Sequence, residues 1–343
     1  MPNKKGGITL AGNILTDVVK TVDCYPKIGM LANISDVSRA VGGCVPNTGI
    51  DLKKIDSSLR VTAIGKIGND EGGEFLLSEF DKYGLERDKV KVSPTKPTSF
   101  NDVMSMPSGE RTFFHARGAN AEFSPQDIDV AALDCDIFHI GYILLLDAMD
   151  KADETHGTVM AGLLKAVQER GIKTSIDVVS DSTADYKAKI IPALRYSNYA
   201  IMNEIESGMI TDLDPYNKDG TLNIQNIRKT METMASLGVK DKIIVHCKEA
   251  GFCFDVKSGE FTASPSLNIP KGEIKGSVGA GDAFCAGALY GIYNNFSDKE
   301  ILDFASSAAA CNLFAENSID GMKSAEEIKN MAAKYGRKEI KLC

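Results

Sequence analysis

No Cys-x-x-Cys pair and no Cys/His cluster at zinc spacing occurs among the eight cysteines (24, 44, 135, 247, 253, 285, 311 and 343) and four histidines of this 343-residue chain. A zinc site or dithiol redox centre of the usual spacing is therefore excluded. Most of the cysteines sit in apolar contexts such as "DAFCAGAL" and "AAACNLF", as small reduced core residues do. No segment approaches the ~20 apolar residues of a membrane span. The first residues, "MPNKKGGITLAGNILTD", carry two lysines but no apolar run of signal-peptide length, so a cytoplasmic location is expected. Long runs of one charge sign are missing too, and the formal charge of −8 offers neither a nucleic-acid surface nor a polybasic membrane patch. An acidic protein that handles anions must then concentrate positive potential locally. Linkers rich in Ser and Gly, low-complexity tracts and internal repeats are all absent, and a single domain over 1–343 is expected.

What is present is an ordinary globular composition, 43% hydrophobic and 25% charged, with a regular alternation of elements. "GITLAGNIL", "RVTAIGKIG", "CDIFHIG", "IKTSIDVV", "YSNYAIMN" and "DKIIVHC" read as short strands, and helical patterns cover 71–83, 154–170, 221–237 and 280–294. A βα repeat of this kind predicts an α/β fold with a mostly parallel sheet flanked by helices. Two stretches break the pattern. Residues 98–117 read as two strands around "PSG", and 18–41 is a second antiparallel candidate, so a small β-sheet lid over a site is expected.

The stretch "GSVGAGDAFCAGALYGI" carries the chemistry. Gly279, Ala280 and Gly281 hold nothing larger than a methyl at the start of a buried helix, so a ligand can approach the backbone N–H groups and the positive helix end. The spacing fits neither a Walker loop nor a dinucleotide fingerprint. Asp282 follows in the first turn. It could complement the helix dipole, or take a proton from an attacking hydroxyl beside a phosphate.

This stretch resembles the C-terminal signature of the PfkB (ribokinase-like) carbohydrate kinases, D-T-x-G-A-G-D-x-F. Further motifs follow in the family's order over nearly the whole chain: "LAGNILTD" with Asp17, "GGCVPNTG" with Gly42, Gly43 and Asn47, "IGKIGNDEGGEFL", "RGANAEFSP" after the lid, and "NEIE" with Asn203 and Glu206. The resemblance implies a ribokinase-like doubly wound fold and ATP-dependent phosphorylation of a hydroxymethyl group, with Asp282 as general base and an anion hole at Gly279–Asp282. It further implies that Asn203 and Glu206 organise Mg²⁺ around the nucleotide, although a helix cap would explain the same pair.

Asp17, expected at the end of the first strand, can accept hydrogen bonds from two neighbouring hydroxyls of a sugar. Gly65, Gly68 and Asp70 read as a structural strand-to-helix turn. Lys248 stands where the family has a glycine near the nucleotide phosphates, and either contributes charge there or points into solvent; Gly251 follows it. Asn312, with the loop near Ser318, is a candidate for the adenine end. Gly276 replaces the acid of the signature that many relatives use near a monovalent cation, so potassium activation is not expected. Strand alternation puts Asn101 with Val103, and Phe113 with His115 and Arg117, on single faces of the lid. Polar Asn101, His115 and Arg117 suit a small sugar. Phe100, Phe113 and Phe114 leave a nucleoside kinase as the alternative, and the lid could also form a homodimer interface. A non-catalytic sugar sensor on the same fold would be expected to lack the base or the Asn203/Glu206 pair, and both are here.

Overall fold

The computed structural model describes residues 6–106, 110–180 and 185–340. The expected turn at 107–109 and Cys343 lie outside the described residues. Nine strands form the main sheet, in the order Phe261–Pro265, Ala250–Asp255, Lys242–His246, Tyr199–Asn203, Lys173–Val178, Ile137–Ile143, Ile8–Gly12, Val61–Ile67 and Glu86–Val92. From Lys242–His246 to Glu86–Val92 every pairing is parallel, and the first two strands add an antiparallel edge. Strand alternation sorts the apolar residues into two layers. Ile8, Leu10, Ile201 and Ile244 face the helices Cys44–Ile55, Glu71–Tyr83 and Ala280–Tyr293, while Ala11, Ala200, Met202, Ile243 and Val245 face Val159–Glu169 and Ile224–Ser236.

Helix ends are set by local chemistry. The Asp70 side chain accepts from the Gly73 N–H and caps Glu71–Tyr83, which stops at the left-handed Gly84. Asp70 is thus a structural cap, and it also holds Thr98 at the start of the lid's return strand.

A second sheet, in the order Ile34–Gly42, Leu15–Val22, Ser99–Ser105 and Arg111–Ala116, forms the lid. Its register puts Asp17, Asn101 and His115 side by side on three neighbouring strands. Two expectations need correction here. The first core strand ends at Gly12, and Asp17 lies inside the lid strand Leu15–Val22, because the chain leaves the main sheet after only Asn13 and Ile14. The lid strand Arg111–Ala116 ends before Arg117, whose guanidinium turns away to the Leu144 carbonyl (2.6 Å) and Asp147 (3.4 Å).

Candidate active site

Open α/β sheets bind ligands beyond the carboxyl ends of their strands, and this edge gathers Tyr142, Asp177, Asn203 and His246 from four neighbouring strands. The helix Ala280–Tyr293 begins in front of them. Gly279 turns the chain at φ +77°, and a Cβ there would stand 2.5 Å from that of Ser318, so the turn requires glycine. No side chain caps this helix; the Ala280 N–H turns back to the Ser277 carbonyl at 3.2 Å, and those of Gly281 and Asp282 remain available to an anion.

Asp282 is buried in the first turn. Its Oδ1 accepts a 2.5 Å hydrogen bond from the Tyr142 hydroxyl, and its Oδ2 accepts one of 2.9 Å from Asn47 Nδ2. Burial pushes its pKa up to about 6 against both bonds, and the charge of Asp17 adds to the rise. Asn47, expected as a sugar ligand, directs its amide at the acid and at Ser318, whose hydroxyl donates to Asn47 Oδ1 at 2.8 Å. Ser318 therefore sits beside Asp282's support and lines a cavity together with Asp17.

On the lid, Asn101 Nδ2 donates to Asp17 Oδ1 at 2.7 Å, and its Oδ1 lies 2.7 Å from His115 Nδ1. This row fixes the carboxylate across three strands. Burial raises Asp17 to about 6, opposed by the Asn101 bond and by the Arg111 guanidinium. Gly42 ends the lid strand next to Asp17, and Gly43 is the N-cap of the helix that carries Asn47.

Two cavities meet at the Gly279–Asp282 turn, and another reaches Val278 just before it. One of about 550 Å³ opens outward from Asp17 between the lid and residues 314–323. A second, of about 190 Å³, is lined by Asp177, Asn203, Glu206 and Asp282. The third, of about 400 Å³, has apolar walls from Ile269, Ile274, Phe284 and Leu313, which suit the faces of a flat aromatic ring.

Asn203 and Glu206 form a complete capping box: Asn203 Oδ1 accepts from the Glu206 N–H at 2.8 Å, and Glu206 Oε2 from the Asn203 N–H at 2.9 Å. Ser180 donates to the other Glu206 oxygen at 2.9 Å. Burial lifts Glu206 to about 7, with the charges of Glu204 and Asp282 adding to the rise, and drives Asp177 well above the usual carboxylate range, with Glu206 and Asp282 adding there. Among the described residues none of Asp177, Glu206 and Asp282 has a cationic partner. Buried oxygen donors without a counter-charge fit a hard divalent cation. Behind them His139, Asp177 and Cys285 converge within 4.8 Å, but His139 bonds to Ser175 and is wholly buried in the core.

Other expectations come out differently. Asn312 is fully buried, and its Nδ2 donates to the Val278 carbonyl at 2.6 Å, so it braces the turn from behind. Gly251 is buried in the second strand of the sheet, with the Phe284 ring 3.0 Å from where its Cβ would stand. The Lys248 side chain is 80% exposed and reaches only Glu249, although the residue lines the apolar cavity. Sequence reasoning missed Tyr142 and Asp177, because "HIGYILLLD" and "SIDVVSD" read as buried strands; the polar residue at each strand's end was the available signal.

The profile described as pfkB family carbohydrate kinase matches residues 8–325. The 5-dehydro-2-deoxygluconokinase of Clostridium beijerinckii is 24% identical over 88% of this chain and 86% of its own, and the ribokinase of Arabidopsis thaliana is 23% identical over 94% and 79%. Among solved structures, Arabidopsis thaliana ribokinase complexed with ribose and ATP superposes with a TM-score of 0.78 at 20% identity, covering 96% of this chain and 99% of that one. A nucleoside kinase of Methanocaldococcus jannaschii gives 0.73 at 16%, covering 97% and 99%.

Proposed function

Because the chain belongs to the pfkB family of carbohydrate kinases, we propose that it transfers the γ-phosphoryl group of ATP to a hydroxymethyl group of a small sugar. The observation that carries the reading is Asp282: a buried, doubly hydrogen-bonded acid at an uncapped helix start, lining the acidic cavity beside the apolar one, with the lid cavity reaching Val278 just before the turn. Phosphoryl transfer asks a protein chiefly for positioning and charge stabilisation, with one group to receive the hydroxyl proton. The apolar cavity takes the adenine, and the sugar lies in the lid cavity with paired hydroxyls on Asp17. Its hydroxymethyl oxygen then approaches Asp282, which accepts the proton as the oxygen attacks. The free N–H groups of the Gly279–Asp282 turn receive the charge of the transferring group. Asp177, Asn203 and Glu206 would hold Mg²⁺, which supplies neutralisation of the nucleotide phosphates.

The row His115–Asn101–Asp17 favours a polyhydroxylated acceptor. A nucleoside is the second reading, supported by Phe113, 51% exposed on the same lid face. A panel of sugars and nucleosides with ATP and Mg²⁺, read by ADP release, tests both. On a sugar, Asn101→Ala raises KM more than Phe113→Ala; the reverse order, with nucleosides the better substrates, replaces the first reading by the second.

A further inference from the structure

We propose that the acceptor is an anionic sugar whose carboxylate or phosphate is held by Arg111 and Lys275, an inference that rests on the sugar-kinase reading. The cavity that opens from Asp17 is lined by four cations, Arg39, Arg111, Lys275 and Lys323, in a chain whose formal charge is −8. Among the described residues, Arg111, Lys275 and Lys323 have no carboxylate within ion-pair distance, and Arg39 has only a 3.9 Å contact with Glu71. The four surround one cavity.

Acids line the cavity as well, namely Asp17, Glu316 and Asp320. Asp17 is engaged by Asn101, and Asp320 accepts from Asn317 at 2.9 Å. An anionic acceptor would be repelled by Asp17 and Asp282 unless cations offset them, and Arg111, on the lid, and Lys275, on the core, line the same cavity as Asp17. Arg111 projects from the lid strand on the face shared by His115 and Asn101, and Lys275 comes from the segment leading to the Gly279 turn. Both also line a neighbouring cavity of about 390 Å³. One Arg111 nitrogen, Nη2, donates to the Glu316 carbonyl at 3.1 Å, which ties the lid to the core and leaves the other N–H donors of the fork for a carboxylate or phosphate. A neutral sugar offers these donors nothing that water does not.

The test measures kcat/KM with ATP and Mg²⁺ on two matched pairs, gluconate against glucose and fructose 6-phosphate against fructose. The expected result is that at least one anion exceeds its neutral partner, that Arg111→Ala and Lys275→Ala each lower the anion-to-neutral ratio roughly 10- to 100-fold, as loss of a charge-assisted hydrogen bond does, and that added salt weakens the preference. The pair that responds identifies carboxylate or phosphate. Neutral sugars preferred in both pairs overturn the proposal and leave the kinase reading standing. So does an equal loss on both members of a pair with a raised KM for ATP, which would assign the two cations to the nucleotide. Titration calorimetry of gluconate and fructose 6-phosphate without nucleotide separates the remaining case. If neither the pairs nor the wider panel is phosphorylated, the kinase reading fails, and the anion site stands or falls on whether the two variants abolish binding.

Discussion

Asp282 works as a base only while ionised, and its raised pKa sets the pH at which that holds. As pH falls through about 6 the carboxylate takes up a proton and can no longer accept one, so kcat/KM is expected to fall roughly tenfold per unit below that point. Asp282→Asn keeps the size and the contact with the helix start and should lose ~10² to 10⁴ in kcat with ligand affinities retained; turnover near wild type would remove the assignment. Tyr142 bears on the same group. Its hydroxyl bond holds Asp282 down, so Tyr142→Phe should move the acid limb of the pH profile upward by roughly one unit. An unmoved limb would leave the phenol no part in holding the base. Nothing in "HIGYILLLD" announces that contact, since Tyr142 and Asp282 are 140 residues apart and meet only because their elements end at the same sheet edge.

At the scale of elements, the helix Glu204–Thr211 has two demands on one pair of side chains, a cap and a metal. They separate by substitution. Glu206→Gln retains an oxygen for the Asn203 N–H but removes the charge, so it should raise the Mg²⁺ needed for half-maximal rate with little change in Tm. Asn203→Ala removes the cap oxygen and should cost ~1 kcal/mol of stability as well. A Mg²⁺ titration unaltered in Glu206→Gln would return the pair to capping alone. The helix Glu71–Tyr83 was legible to the residue because Asp70 and Gly84 bound it with cap chemistry. The core strands were legible from their β-branched runs. The origin of Asp17 was not: "LAGNILTD" continues its apolar pattern straight from the main sheet into the lid, and period alone does not distinguish two sheets. Arg117 was misplaced for the related reason that alternation does not mark where a strand stops, and Asn312 because a polar residue on a helix looks the same whether it meets ligand or backbone.

For the whole molecule, two expectations concern what surrounds the chain. A Cβ at Gly276 would lie 2.8 Å from the Ala315 carbonyl, so an acidic side chain has no room there, and Asn312 already bonds the nearby Val278 carbonyl. Rates in sodium, potassium and tetramethylammonium at equal ionic strength should therefore agree; a several-fold rise in potassium alone would contradict this. The lid's outer face exposes Val37 and Phe114, at 59% and 58%, on the side turned from Asp17. Apolar surface of that kind supports pairing of two copies through the lid. Sedimentation should show a dimer that Val37→Lys with Phe114→Lys converts to monomer, and a wild-type monomer at all concentrations would refute it. The segment 278–282 borders the lid cavity through Val278 and the acidic and apolar cavities through Gly279–Asp282. With acceptor and nucleotide in these cavities as proposed, coupling between them would run through five residues rather than across the molecule. Such coupling has no direction: by linkage, the factor by which nucleotide changes acceptor affinity is the factor by which acceptor changes nucleotide affinity.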